Sequence, residues 1–308
     1  MTPKTGKSSG HLLVVVLGPT AVGKTETALK IAEHFNTIII SADSRQFYRE
    51  MNIGTAAPTD LQKSRVPHYL TGHLSVVDSY NVSRFEKDVL ELLDVHFPTR
   101  NPIILAGGSG LYIDAICRGI DDLPDPDMEI RSEIEKLYSE RGITYLQDKL
   151  LKLDPEYFKI VDKSNPNRLK RAVEVCLLTG KTYTSLRLNQ PKQRPFDILK
   201  IGLNLPREEL FERISIRTGQ MIADGLVEEV KRLAEHRSQN ALNTVGYKEI
   251  LEYLDGKISL GQAVTNIKTN TRRYAKRQLT WFKKDKNIRW FSPFESDEII
   301  RLIEQQMI

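Results

Sequence analysis

Eight consecutive residues, Gly18, Pro19, Thr20, Ala21, Val22, Gly23, Lys24 and Thr25, have the types and spacing of a phosphate-binding loop. The two glycines let backbone approach an anion where a side chain would clash. Backbone N–H groups and the positive end of a following helix favour negative charge there. Lys24 adds a point charge for phosphates, and Thr25 adds a hydroxyl suited to Mg²⁺. A second polar group follows an apolar run: Asp43, Ser44, Arg45 and Gln46 bring a carboxylate, a hydroxyl, a guanidinium and an amide. Asp43 suits either a Mg²⁺ ligand or a general base. The glycine turn Gly107-Gly108-Ser109-Gly110 would let a ligand lie close to backbone. Arg217 shares an otherwise apolar helical face with Leu210, Ile214 and Met221. A buried arginine needs an anionic partner, which makes Arg217 a candidate for a bound phosphate.

These groups need elements to position them. Strand patterns cover 12–17, 37–41 and 102–106, and helical patterns lie near 24–35, 60–65, 83–96 and 110–117. This alternation predicts a parallel sheet covered by helices, with ligands at the carboxyl ends of the strands. The three polar or glycine-rich strand ends should therefore converge. The stretch Met51 to Pro58 reads as a loop. From about Arg118 to Pro195 the rhythm becomes helical, with patterns at 127–141, 143–152, 155–162 and 166–179. Arg168, Lys170 and Arg171 stand beside Asn165 and Asn167 at the start of the last of these. A strand pattern returns at 198–205, and Pro206 starts a helix. A long helix spans about 259–283, followed by a short strand at 288–291 and a terminal helix. In the long helix, Leu260, Val264, Ile267, Thr271, Tyr274, Gln278 and Trp281 form one stripe, read as packed. Lys268, Arg272, Arg273, Lys276 and Arg277 fall on the other faces. The expected architecture is α/β, a P-loop NTPase-like parallel sheet flanked by helices, with an inserted, mostly helical domain. Residues 11–117 and 196–308 form the core, 118–195 the insertion and 1–10 a disordered tail.

The chain has 308 residues and a formal charge of +5, distributed unevenly. From Lys268 to Arg289 nine positive charges face one negative, Asp285, so the remainder is net negative. Such asymmetry suggests a polyanionic partner. The two cysteines, Cys117 and Cys176, stand far apart, which argues against a zinc ribbon or a disulfide framework and suits a reducing cytosol. No apolar run approaches the 18 residues of a membrane span, and no signal peptide is expected.

In this order and spacing, the segments Gly18–Thr25, Ser41–Tyr48, Met51–Pro58, Gly107–Tyr112, Asn167–Glu174, Gly225–Val230, Val245–Glu249 and Asn270–Phe282 resemble the tRNA dimethylallyltransferase family. The runs Ser-Ala-Asp-Ser-Arg-Gln and Asn-Thr-Arg-Arg-Tyr-Ala-Lys-Arg-Gln-Leu-Thr-Trp-Phe are the specific ones, and the resemblance covers nearly the whole chain. It implies transfer of a prenyl group from dimethylallyl diphosphate to N6 of the adenosine 3′-adjacent to the anticodon of tRNA. The P-loop, with Thr20, Lys24, Arg217 and a Mg²⁺ on Thr25, would then hold the diphosphate, and Asp43 would accept the N6 proton. The reacting adenosine would be flipped out of its stack. The resemblance further implies tRNA contacts at Asp43, Ser44, Arg45, Gln46, Ser109, Arg131, Asn167, Arg168, Leu169, Lys170, Arg171, Gly246, Tyr247 and Lys248. Arg272, Arg273, Lys276 and Arg277 on the basic helix would bind phosphates without reading sequence. Ser109 stands where the family usually has threonine, Ala57 where lysine is common, and Tyr69 where a second histidine is frequent. The cysteine count leaves no zinc finger of the eukaryotic type. The expected protein is a bacterial, cytoplasmic, monomeric enzyme with no membrane partner.

Three other readings share the P-loop. An adenylate isopentenyltransferase would prenylate free AMP, ADP or ATP and needs no basic helix. A nucleotide kinase would consume ATP. An RNA-binding protein with a vestigial loop would have no reason to keep Lys24, Thr25, Asp43 and Arg217 together.

Overall fold

The apolar run Leu12–Leu17 is a strand buried along its whole length, as a central parallel strand must be. In the computed structural model, which describes residues 10–188 and 190–307, it lies at the heart of a six-stranded sheet. The elements run β1 (Leu12–Leu17), α1 (Lys24–His34), β2 (Ile39–Ser41), α2 (Asp60–Arg65), β3 (His68–Tyr69), α3 (Val82–His96), β4 (Ile103–Gly107) and α4 (Gly110–Arg118). Next come α5 (Met128–Leu153), α6 (Pro155–Ile160), α7 (Pro166–Thr179) and α8 (Tyr183–Leu186). The chain finishes with β5 (Asp197–Leu203), α9 (Arg207–Ala223), α10 (Leu226–Arg232), α11 (Tyr247–Leu254), α12 (Leu260–Phe282), β6 (Arg289–Phe291) and α13 (Ser296–Met307). Residues 1–9 of the expected tail lie outside the described residues.

The sheet order is β3-β2-β4-β1-β5-β6, and every pairing is parallel. The strand period of two sends Leu13, Val15 and Leu17 into one core and Leu12, Val14 and Val16 into the other. α9 joins both cores: its Leu210 and Ile214 belong to the second, its Met221 and Ile222 to the first. α12 does likewise, with Ile267 and Phe282 in the first and Ala275 in the second. Both helices therefore contribute to both faces of the sheet, and Gln278 sets α12 beside the ends of β1 and β4.

The chain divides into two compact units, Met1–Cys117 with Arg194–Ile308, and Arg118–Gln193. In the smaller unit α5 packs on α7 through Ile134, Leu146, Leu150, Leu169 and Val173. The two helices expected over 127–141 and 143–152 are both present along α5, separated by a non-helical break at Gly142, whose φ of 71° and ψ of −167° only glycine adopts readily. The second strand is shorter than the expected 37–41. The edge strand β3 and the helices α8, α10 and α11 are not among the expected elements. Among the described residues, no helix is long and apolar enough to cross a membrane.

Candidate active site

The phosphate loop joins β1 to α1. At Gly18 a Cβ would sit 2.6 Å from the Leu203 carbonyl oxygen, so no side chain fits. Gly23 caps α1 in the left-handed region, with φ 110° and ψ 15°. Ala21 also takes a positive φ of 66°, a conformation that costs an L-residue on the order of 1–2 kcal/mol. The turn leaves the first-turn N–H groups of α1, those of Lys24 and Thr25, for a ligand. Lys24 folds back over the loop, its Nζ donating to the Pro19 carbonyl at 2.8 Å. Burial pulls the Lys24 pKa down to about 8, a shift that Asp43 opposes and Arg217 reinforces.

Gln278 of α12 clamps the loop. Its Oε1 accepts the Thr20 N–H at 2.8 Å, and its Nε2 donates to the Gly108 carbonyl at 2.9 Å. The ends of β1 and β4 are thereby tied together, flanking the point where the strand order switches. Sequence reading put Gln278 on a packed stripe without seeing this role, although an amide in such a stripe was the signal. Asp43 follows β2 in a turn in which its Oδ1 accepts the Arg45 N–H at 3.0 Å. Ser109 Oγ accepts the Ser44 N–H at 3.0 Å, so the serine at this position staples the two loops. Arg45 donates to the Asn240 carbonyl at 2.7 Å, and Gln46 Nε2 donates to the Ala56 carbonyl at 3.0 Å.

These groups enclose a cleft of about 510 Å³. Thr20, Lys24, Asp43, Ser44, Arg45 and Arg217 border it, with Gly246, Lys248, Tyr274 and Arg277 on its other walls. Burial lowers the Arg217 pKa while the Asp43 carboxylate opposes that shift. Arg217 Nη2 reaches the Thr55 carbonyl at 3.5 Å, long for a hydrogen bond. Burial, with Asp43 adding to it, raises the Tyr274 phenol to about 12. Thr25 borders a separate cavity of about 40 Å³ together with Lys24, Ser41, Asp43 and Gln46. Its oxygen donors fit a hard cation such as Mg²⁺, which keeps waters and phosphate oxygens as its other ligands. Among the described residues no three His, Cys, Asp or Glu side chains group as a metal site.

Several expected contact residues have other work. Tyr247 is 0% exposed, so it cannot touch RNA; its hydroxyl donates to Glu229 Oε1 at 2.6 Å. Glu229, missed in the sequence, also accepts the N–H groups of Asn52, Ile53 and Gly54 at 2.8–3.0 Å. Glu229→Ala strands the buried Tyr247 hydroxyl and these partly buried N–H groups, and should lower unfolding free energy by about 3 kcal/mol, read from urea denaturation. A loss below about 1 kcal/mol would show that water replaces the carboxylate.

Leu169 is likewise 0% exposed and belongs to the core of the smaller unit. In that unit Arg131 and Arg171 both pair with the buried Glu174, at 2.8 and 3.0 Å, and Lys170 pairs with Glu135. Asn167 and Arg168 are exposed. On α12 the buried stripe is Ala263, Ile267, Ala275, Gln278 and Phe282. Tyr274 and Trp281, expected to pack, are 36% and 38% exposed. The apolar partner surface there is broken by the cleft and the glycine turn at Gly110. Arg273, Lys276 and Arg277 are exposed, whereas Arg272 turns inward, stacks on Phe211 and donates to Ser215 Oγ at 3.0 Å.

The sequence profile of the IPP transferase family, IPPT, matches residues 46–285. The chain belongs to this family. It is 50% identical over 294 residues to tRNA dimethylallyltransferase 1 of Bacteroides thetaiotaomicron, covering 96% of each chain. It is 52% identical to tRNA dimethylallyltransferase 1 of Phocaeicola vulgatus, covering 94% of this chain and 97% of that one. Among solved structures, the full-length tRNA isopentenylpyrophosphate transferase of Bacillus halodurans aligns with a TM-score of 0.71 and 36% identity over 96% of both chains. A eukaryotic dimethylallyltransferase acting on tRNA shares the fold, with a TM-score of 0.76 at 24% identity, over 96% of this chain and 77% of that one.

Proposed function

We propose that the protein transfers a dimethylallyl group from dimethylallyl diphosphate to N6 of the adenosine 3′-adjacent to the anticodon in tRNA, releasing diphosphate. The observation that carries this reading is the convergence of Lys24, Arg217 and Asp43 on one cleft, in a chain of this family. The first two are cations suited to a diphosphate; the third is a carboxylate suited to an amine proton. In the reaction the N6–C1 bond forms as the C1–O bond to diphosphate breaks, and the N6 proton passes to Asp43. Loop N–H groups, Lys24 and Arg217 stabilise the charge growing on the leaving oxygens. Thr25 would hold Mg²⁺ beside the diphosphate, where the ion supplies further charge neutralisation. The cleft is roomy enough for a flipped base, which Ser44 and Arg45 would meet at its rim. The exposed bases Arg273, Lys276 and Arg277 support a docking role for α12 toward RNA phosphates. The same reading takes the enzyme to work as a monomer in the cytoplasm.

The test is a paired transfer assay with radiolabelled dimethylallyl diphosphate and Mg²⁺, offered either unmodified tRNA or free AMP. Label on tRNA alone is expected. Label on AMP alone would make the protein a free-nucleotide prenyltransferase and leave the charge of α12 without a purpose.

Lys24 also sets a pH dependence. The charged form binds diphosphate, and in the free enzyme its proton leaves near pH 8. kcat/KM for the donor should therefore fall as pH rises through about 8. The limb in kcat should lie higher, because bound diphosphate favours the protonated amine. A kcat/KM flat up to pH 10 would remove the lysine charge from donor binding.

A further inference from the structure

The cleft is not polar throughout. On α9, Ile214, Arg217, Thr218 and Met221 share one face, and all four border it. The two apolar ends of this row belong to different cores. Ile214 joins the core that includes Ala21 of the phosphate loop, while Met221 joins the core that includes Val245 and Ile267. Val245 and Ile267 also line the cleft. Arg217 thus stands between a phosphate end and an apolar end, with Met221 about 6 Å further along the helix axis. A donor held at its diphosphate by Lys24 and Arg217 has its hydrocarbon at the Met221 end. Met221, Val245 and Ile267 pack into the same core as the fully buried Leu226, so this end backs onto close-packed side chains that leave little room for a longer chain.

We propose that Met221, backed by Val245 and Ile267, closes the hydrocarbon end of the site and limits the donor to one isoprene unit. The proposal rests on the prenyl-transfer reading above. Methionine suits the role: unbranched and pliable, it fills an irregular gap against a small branched tail. Replacing it with alanine opens the end wall without touching the groups that hold diphosphate.

The test compares dimethylallyl and geranyl diphosphate as donors to unmodified tRNA, using the full-length protein. Wild type should use the first and reject the second. In Met221→Ala the ratio of kcat/KM for geranyl over dimethylallyl should rise at least ~10-fold, the scale on which apolar pockets discriminate. Met221→Leu, nearly the same volume, should keep the wild-type ratio within about threefold. Val245→Ala should shift the ratio in the same direction, and it decides the matter if Met221→Ala proves insoluble. An unmoved ratio in folded alanine variants, or a wild type that accepts geranyl diphosphate equally well, would overturn the proposal alone. A wild type that transfers dimethylallyl to no acceptor would overturn the functional reading together with it.

Discussion

Asp43→Ala is expected to cut turnover at least ~10²-fold while tRNA binding stays within a few-fold, as removal of a general base should. The expectation rests on position. Asp43 borders both the main cleft and the small cavity beside Thr25, and its charge is felt by Lys24, Arg217 and Tyr274. Its Oδ1 also holds the Arg45 N–H, so alanine removes a turn contact as well as a base. Asp43→Asn separates the two roles, because the amide oxygen still accepts that hydrogen bond but takes no proton. Both variants should be equally slow. If asparagine restores most of the rate lost in alanine, Asp43 shapes the loop and something else accepts the proton.

Arg217→Gln should lower kcat by ~10²–10³-fold, the usual size for removing one preorganised donor from a developing anion. Arg217 is half-buried on a helix that packs on both cores, so its backbone is fixed before the substrate arrives. Arg217→Lys keeps the charge but loses the planar fork and should recover only part of the rate. Steady-state kinetics with dimethylallyl diphosphate decide between two outcomes. A fall in kcat assigns Arg217 to the leaving group. A rise in KM with kcat intact would mean it binds ground state and transition state equally.

The parts of the site that the sequence disclosed are those whose chemistry is contiguous. Eight residues in a row suffice to recognise the phosphate loop, because a loop that wraps an anion is a local structure. Asp43 stood out because a carboxylate directly after a buried strand has few packing reasons to be there. Arg217 was visible through helical period alone. Glu229 and Gln278 were not, since what defines them is the partners they meet in space. Glu229 collects N–H groups from residues 52–54, and nothing in its own helix says so. Tyr247 and Leu169 show the converse error. Each lies in a segment that resembles a contact region, yet only the fold says which way a side chain points. The orientation of Arg272 is set by the fold in the same way. Helical period puts it among the bases, but α9 lies alongside and turns that flank inward.

The amide of Gln278 has a consequence for the life of the chain before it is an enzyme. Its two hydrogen bonds span 258 and 170 residues of sequence. A ribosome delivers the phosphate loop 258 residues before its clamp, so a nascent chain carries a loop with no brace throughout that stretch of synthesis. Contacts this distant in sequence are also the slow ones to form. The unfinished protein is thus poorly equipped to capture diphosphates, and binding competence arrives late, with the docking of α12.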